Sequence, residues 1–242
     1  MSVGNVFNGL HGKENMMSDA ESDEEIMRGN EGLTPPSIAA RRQYVSDIAF
    51  TDTIKRIQEK RGSRKTYARM EAAAGWAHRI TPDLASFIAN QDSFYLATAN
   101  AQGQPYIQHR GGRPGFLKVL GADRLAFADL RGNRQFITLG NLEENSKAFI
   151  FLMDYPNRRR IKIWGEATVT TNNPDLFATL ADPDSLPKVE QAILFTVKAW
   201  DVNCPQYITP RFSALDIAAH IVPLENRIAE LEAELAQYRP QG

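Results

Sequence analysis

The chain has 242 residues, 43% of them hydrophobic, and a formal net charge of −1; it is long enough for one large domain with appendages, and so even a balance excludes a bulk electrostatic case for nucleic acid or an acidic membrane as partner. Cys204 is the sole cysteine, which excludes an internal disulfide and a cysteine-rich metal centre, and His11, His78, His109 and His220 are scattered without ligand spacing, so no metal is expected. No apolar run reaches membrane-spanning length and no basic-then-apolar leader opens the chain, so the expected location is the cytoplasm.

Residues 1–40 are expected to form a disordered acidic tail, with Asp19, Glu21, Asp23, Glu24 and Glu25 clustered and too few apolar residues to offset the entropy of ordering. Residues 41–80 turn helical. Phe50, Ile54 and Ile57 share one face behind a cap at Thr51 or Asp52, Gly62 breaks the pattern, and a second short helix starts at Arg64. The neighbouring Arg61, Arg64 and Lys65 are expected on a solvated face. Residues 81–212 form the main domain, opened by Thr81-Pro-Asp, a helix start with Leu84, Phe87 and Ile88 on its apolar side.

Strands follow. Phe94–Ala99 turns at Asn100-Ala-Gln-Gly103 and returns to Gln108 as a hairpin. Further strands are predicted over 115–120 and 124–128, then a helix over 134–145. Residues 148–153 are apolar on both faces, which predicts a central strand. Alternating strands cover 161–169 and 191–200, separated by a short helix from Asn173. Six or so antiparallel strands with interspersed helices suggest a barrel that removes its own edges. In residues 213–242, Ile217, Ile221, Leu224, Ile228, Leu231, Leu235 and Tyr238 step alternately by four and three, a heptad seam. The continuous helix is expected to start near Pro223. It either pairs between chains or packs on its own barrel.

Between these elements, Arg110-Gly-Gly-Arg-Pro-Gly-Phe-Leu-Lys118 places cations around a glycine-rich stretch. On a flat strand Arg113 and Lys118 would face opposite ways. A kink at Gly111, Gly112, Pro114 and Gly115 would bring both to one anion, with Arg as a bidentate fork and Lys as a point charge. By spacing alone a solvated turn is the commoner outcome. His109 stands next to the glycine pair and is a candidate to face a ligand.

Arg113-x-x-x-Leu117-Lys118 resembles the Arg-x-Val-Leu-Leu-Lys run of the pyridoxamine 5′-phosphate oxidase-like flavoproteins. The order continues through Phe127-Ala-Asp-Leu-Arg-Gly-Asn-Arg134, Leu142-Glu-Glu-Asn145 and Arg159-Arg-Ile-Lys-Ile-Trp-Gly165, so that the likeness covers about residues 81–201. It implies an α+β, mainly β fold: an antiparallel six-stranded FMN-binding split barrel with flanking helices, here followed by the C-terminal heptad helix. It also implies a homodimer with flavin between the subunits. Carried over by position, Arg113 and Lys118 would hold the phosphate, Arg134 would stand at the family's Lys, Asn133 at its Arg, and Arg160 at a Gln that touches the ring. Gln135 and Asn141, in a stretch about one turn longer than in the oxidases, are candidates to donate to the ring, and Arg110 is a second phosphate candidate. Asp129 replaces an uncharged Asn. The ending Trp200-Asp-Val-Asn-Cys-Pro-Gln-Tyr-Ile-Thr-Pro-Arg-Phe212 resembles an oxidase-related bacterial subgroup rather than the oxidase itself. The function implied is an FMN-dependent oxidoreductase acting on a small molecule. The alternatives are a flavin- or haem-binding protein without turnover, and an oligomerisation protein with an empty barrel.

Overall fold

The structure, a computed structural model, describes residues 44–238, all within one compact unit; the acidic tail expected over 1–40 lies outside the described residues. Seven strands form one antiparallel sheet: β1 (Ser93–Ala99), β2 (Pro105–Gly111), β3 (Lys118–Val119), β4 (Arg124–Leu130), β5 (Lys147–Asp154), β6 (Arg159–Thr170) and β7 (Val189–Val202), in the spatial order β2-β1-β5-β6-β7-β4-β3. The count corrects the six expected. The stretch predicted as a strand over 115–120 contributes only the two residues of β3, because Pro114 cannot donate to a ladder and Gly115 sits at φ +79°. The hairpin joining β1 and β2 is as predicted, with Gly103 at φ +85°.

Side-chain alternation sorts the sheet into two faces. Phe94, Leu96, Leu125, Phe127, Ile150, Leu152, Ile161, Ile163 and Phe195 point inward and form one core. Helix α3 (Pro82–Ala89) is capped by Thr81, whose hydroxyl accepts from the Leu84 N–H at 3.2 Å, and it buries Leu84, Phe87 and Ile88 in that core. Helix α5 (Pro174–Leu180) lies on the other face of β4 and β7, with Leu180 packed against Ala126 and Ala192. Helix α4 (Ile137–Glu144) is tied to the hairpin through Asn141, which donates to the Thr98 hydroxyl at 3.0 Å, and Thr138, which donates to the Gln108 side chain at 3.0 Å. Asn141 is therefore spent on packing rather than left free to meet a ligand.

Two helical expectations change. In α1 (Asp52–Lys60) the apolar pair Ile54 and Ile57 is 38% and 50% exposed, while Gln58 is buried. The joint between α1 and α2 (Arg64–Ala73) is polar instead: Arg64 pairs with the buried Glu71 and donates to Gln58 at 2.8 Å, and Ser46 donates to Glu71 at 2.9 Å. Arg64 is thus an internal cation, not part of a solvated patch. The C-terminal helix α6 (Ala214–Tyr238) runs through Pro223 instead of starting near it. No described helix is long and apolar enough to cross a membrane.

Strands β2 and β3 are the two edges of the sheet, yet the sheet curls until β2 reaches β4. Arg110 on β2 pairs with Asp129 on β4, and the Phe94 ring on β1 meets Phe127 on β4 edge-on at 5.1 Å. Among the described residues no backbone ladder joins β2 to β4, so side chains hold this seam. The Gln191 amide on β7 donates to the other Asp129 oxygen at 2.7 Å, and the Arg110 guanidinium lies 5.6 Å from the Phe127 ring centroid.

Two variants probe this frame. At Gly165, in the bulge of β6, an added Cβ would stand 2.3 Å from both the Phe195 ring and the Thr196 carbonyl oxygen. Gly165→Ala is expected to cost about 3 kcal/mol, read as a lowered urea midpoint. Arg110→Ala leaves Asp129 buried without its cation, at an expected cost of about 3–5 kcal/mol. Arg110→Met combined with Asp129→Leu should recover most of that loss. A double variant as unstable as the single would show that the seam does not depend on the charge pair.

Candidate functional site

The seam opens into two adjoining clefts that share Arg110 and Leu130. The larger has a volume of about 680 Å³, within the range of ordinary ligand sites. Its floor is the loop that leaves β2. Gly112 donates its N–H to Asp92 at 2.8 Å, Gly115 donates to Gln91 at 3.1 Å, and these two bonds strap the loop to the turn after α3. A Cβ on Gly112 would sit 2.7 Å from the Phe116 ring, so that ring rests directly against bare backbone. The strapped loop delivers Arg113 and Lys118 to the same cleft, as the kinked reading of the sequence requires and a flat strand does not allow. Phe116, Phe127 and Leu180 give it an apolar wall.

The cations differ in their surroundings. Arg113 is 77% exposed and stands 3.9 Å from both Asp182 and Asp184. Lys118 is half-buried, and among the described residues it makes no ion pair. Hydrogen bonds from the Ser185 side chain and backbone hold the Asp182 carboxyl below its ordinary proton affinity, with Arg113 adding a smaller effect. Asp182 is therefore ionised at neutral pH and competes with any incoming anion. His109 also borders this cleft, edge-on to Tyr95 at 5.6 Å. The Tyr95 hydroxyl, hydrogen-bonded to Tyr155, holds its proton above the usual phenol range.

The smaller cleft, about 70 Å³, takes Asn133, Arg134 and Gln135 from the loop between β4 and α4. Arg134 and Gln135 were expected within a helix starting at Arg134. Phe136 at φ +56° and Arg134 at φ +59° break that helix, which begins only at Ile137. Left-handed backbone at non-glycine residues costs on the order of 1–3 kcal/mol each and persists where the surroundings impose it. Here the Arg134 guanidinium lies 5.5 Å from the Phe136 ring, and the Gln135 N–H bonds to the Asn133 side chain at 3.3 Å. Above the loop, α4 is anchored to the hairpin.

Apart from Asn141 and Arg160, the ligand-facing candidates picked from sequence all border the two clefts. Arg110 does so with its guanidinium already engaged by Asp129, although its Nε is buried without a hydrogen-bond partner. Arg160 stands apart. It lies on β6 with its side chain on the face opposite Ile161, and its carbonyl accepts from the Asn203 N–H at 3.1 Å. Sequence reasoning missed Asp182, Asp184, Ser185 and Lys188, which close the larger cleft from the turn after α5. The Asp-Pro-Asp-Ser run marks a turn, but nothing local says what it faces.

Comparison with known proteins gives the wider context. No curated protein matches the chain. Several solved structures are similar at a distance. HupZ of Group A Streptococcus has 18% identity, covering 55% of this chain and 99% of its own, with a TM-score of 0.43. An FMN-binding protein from Syntrophomonas wolfei has 14% identity, covering 62% and 96%, at 0.40. HutZ, the heme storage protein from Vibrio cholerae, has 18% identity, covering 51% and 94%, at 0.37. The sequence match is firmer: residues 80–202, which include every strand of the sheet, both cleft loops and the buried Arg110–Asp129 pair, fit the model described as pyridoxamine 5′-phosphate oxidase. On that match, the chain belongs to the pyridoxamine 5′-phosphate oxidase family.

Proposed function

We propose that this protein is an FMN-dependent oxidoreductase of the split-barrel class, acting on a small molecule. The observation that carries the reading is the convergence of Arg113 and Lys118 on one cleft of ligand size with an apolar wall. That donor set fits a phosphate monoester attached to a flat aromatic group: a fork and a point charge for the phosphate, and Phe116, Phe127 and Leu180 for the ring and its tail. Bare backbone at Gly112 lets the Phe116 ring pack against the loop and wall the cleft. Bound FMN would supply the hydride and electron transfer. The chain would bind the phosphate, offer donors from Asn133, Arg134 and Gln135, and limit water at the seam.

In this reading Arg160 meets the same cofactor only from a second copy, since in its own chain it borders neither cleft. A homodimer with a shared site follows. A second reading, flavin or haem binding without turnover, draws on the cleft's acid–base groups. Asp182 has a lowered proton affinity, the wrong direction for a general acid at neutral pH.

The absorption spectrum of the purified protein is the first test, with bands of oxidised flavin expected. Bleaching by NAD(P)H separates turnover from binding. In FMN titrations followed by fluorescence quenching, Arg113→Ala and Lys118→Ala should each weaken binding about ten-fold or more, since a charge-assisted contact supplies roughly 1.5–3 kcal/mol. Melting temperatures should stay unchanged. Asp184→Asn, at an exposed position, should tighten FMN, and more so at low salt. Unaltered affinity in both alanine variants removes the phosphate from this cleft.

A further inference from the structure

Helix α6 leaves its seam bare. Ile217, Ile221, Leu224, Ile228, Leu231 and Leu235 are between 41% and 64% exposed, and every described side chain of the helix is exposed. A 25-residue helix whose apolar stripe has no partner among the described residues lacks what normally holds protein helices, the packing of one face. The stripe is a strict heptad. Taking Ile221, Ile228 and Leu235 as position a makes Ile217, Leu224 and Leu231 position d. At its centre, Ile221 and Ile228 at a with Leu224 and Leu231 at d form the combination that favours two parallel strands.

Charge selects the orientation. In this register Glu225 and Glu232 are e positions, and His220, Arg227 and Glu234 are g positions. In a parallel pair each g residue meets the e residue five places later in the other chain, so Arg227 meets Glu232 and His220 meets Glu225, all attractive or neutral. An antiparallel pair sets e against e, where Glu225 and Glu232 repel, and g against g, where Arg227 meets itself or, at the next stagger, Glu234; none of these staggers makes both rows attractive, as the parallel pair does. Within one chain Arg227 bonds Glu230 at 2.8 Å and approaches Glu234 at 4.0 Å. Both contacts are exposed, and such pairs exchange at little cost. Pro223 falls at position c, away from the seam, which explains how the helix carries a proline without losing the stripe.

We propose that α6 pairs with α6 of a second copy as a parallel, in-register two-stranded coiled coil, its register set by Arg227 of one chain and Glu232 of the other. The pairing rests on the helix alone and stands whether or not the clefts hold flavin.

The test uses the full chain with Cys204→Ser. Leu224→Cys and Leu231→Cys, made separately, should both form disulfide-linked dimers on air oxidation, because d positions face their own counterparts in a parallel register. An antiparallel pair allows this at one position at most, and an unpaired helix at neither; either result overturns the proposal. In sedimentation equilibrium, Arg227→Glu and Glu232→Arg should each weaken self-association about ten-fold. An equimolar mixture of the two should associate as tightly as the parent, as should the chain carrying both changes. Failure of both to restore association discards the register. FMN titration of the same variants, expected unchanged, keeps this outcome distinct from that of the cleft.

Discussion

The molecule depends on one ion pair at the place where its sheet closes without a backbone ladder. Arg110 and Asp129 sit on strands that are five positions apart in the sheet order β2-β1-β5-β6-β7-β4-β3, and both are mostly sequestered from water. Removing two charges from water is expensive, and a buried pair seldom repays that cost against an apolar replacement. Its contribution is selective. Gln191 takes the second oxygen of Asp129, and Phe127 lies under the guanidinium, so only one approach of β2 to β4 leaves all three polar groups partnered. A slip of one residue in either strand would turn one member of the pair to the other face.

That selection places the two clefts. The loop 112–117 leaves β2 directly after Arg110, and the loop 131–136 leaves β4 directly after Asp129 and Leu130. Tying the two strands together therefore sets both loops side by side, and the two clefts are the spaces on either side of the tie. Each loop is then held by a different device: backbone bonds from Gly112 and Gly115 to the turn after α3, and the Asn141 and Thr138 bonds of α4, which follows the second loop, to the hairpin. Strain at Arg134 and Phe136 is sustained because the loop is fixed at both ends.

The strands were legible because alternation is a local property: Phe94, Leu96, Ile161, Ile163, Ile193 and Phe195 announce an inward face with no knowledge of neighbours. Helix caps at Thr51, Thr81 and Asn173 were legible for the same reason. What failed was everything decided by a partner far along the chain. Ile54 and Ile57 have helical spacing, yet the face of α1 that is buried belongs to Gln58, whose partner Arg64 lies across a turn. The helix expected from Arg134 is broken by the left-handed backbone at Phe136, which no propensity marks. Asp129 looked like a mere departure from an uncharged family position. Its meaning is Arg110, nineteen residues earlier, and Gln191, sixty-two later. Arg113 and Lys118 were legible only as alternatives, and the two strap bonds at Gly112 and Gly115 decide between them.

Net charge hides this organisation. A chain of charge −1 offers no bulk attraction to anions, and sequestered cations are neutralised in place: Arg64 by Glu71, Arg110 by Asp129, Lys162 by Asp201 at 3.0 Å. Against that background a local positive site arises by leaving a cation without an ion pair among the described residues, as at Lys118, or by pairing it loosely, as at Arg113. The carboxylates near Arg113, Asp184 exposed and Asp182 half-buried, lie 3.9 Å away at the limit of contact, where their attraction is small. An anion that reaches both Arg113 and Lys118 can take their place, because it binds two cations where each carboxylate holds one. On the proposed reading the cleft would select an anion by position rather than by overall charge, with Arg110 kept out of the competition by its pairing with Asp129.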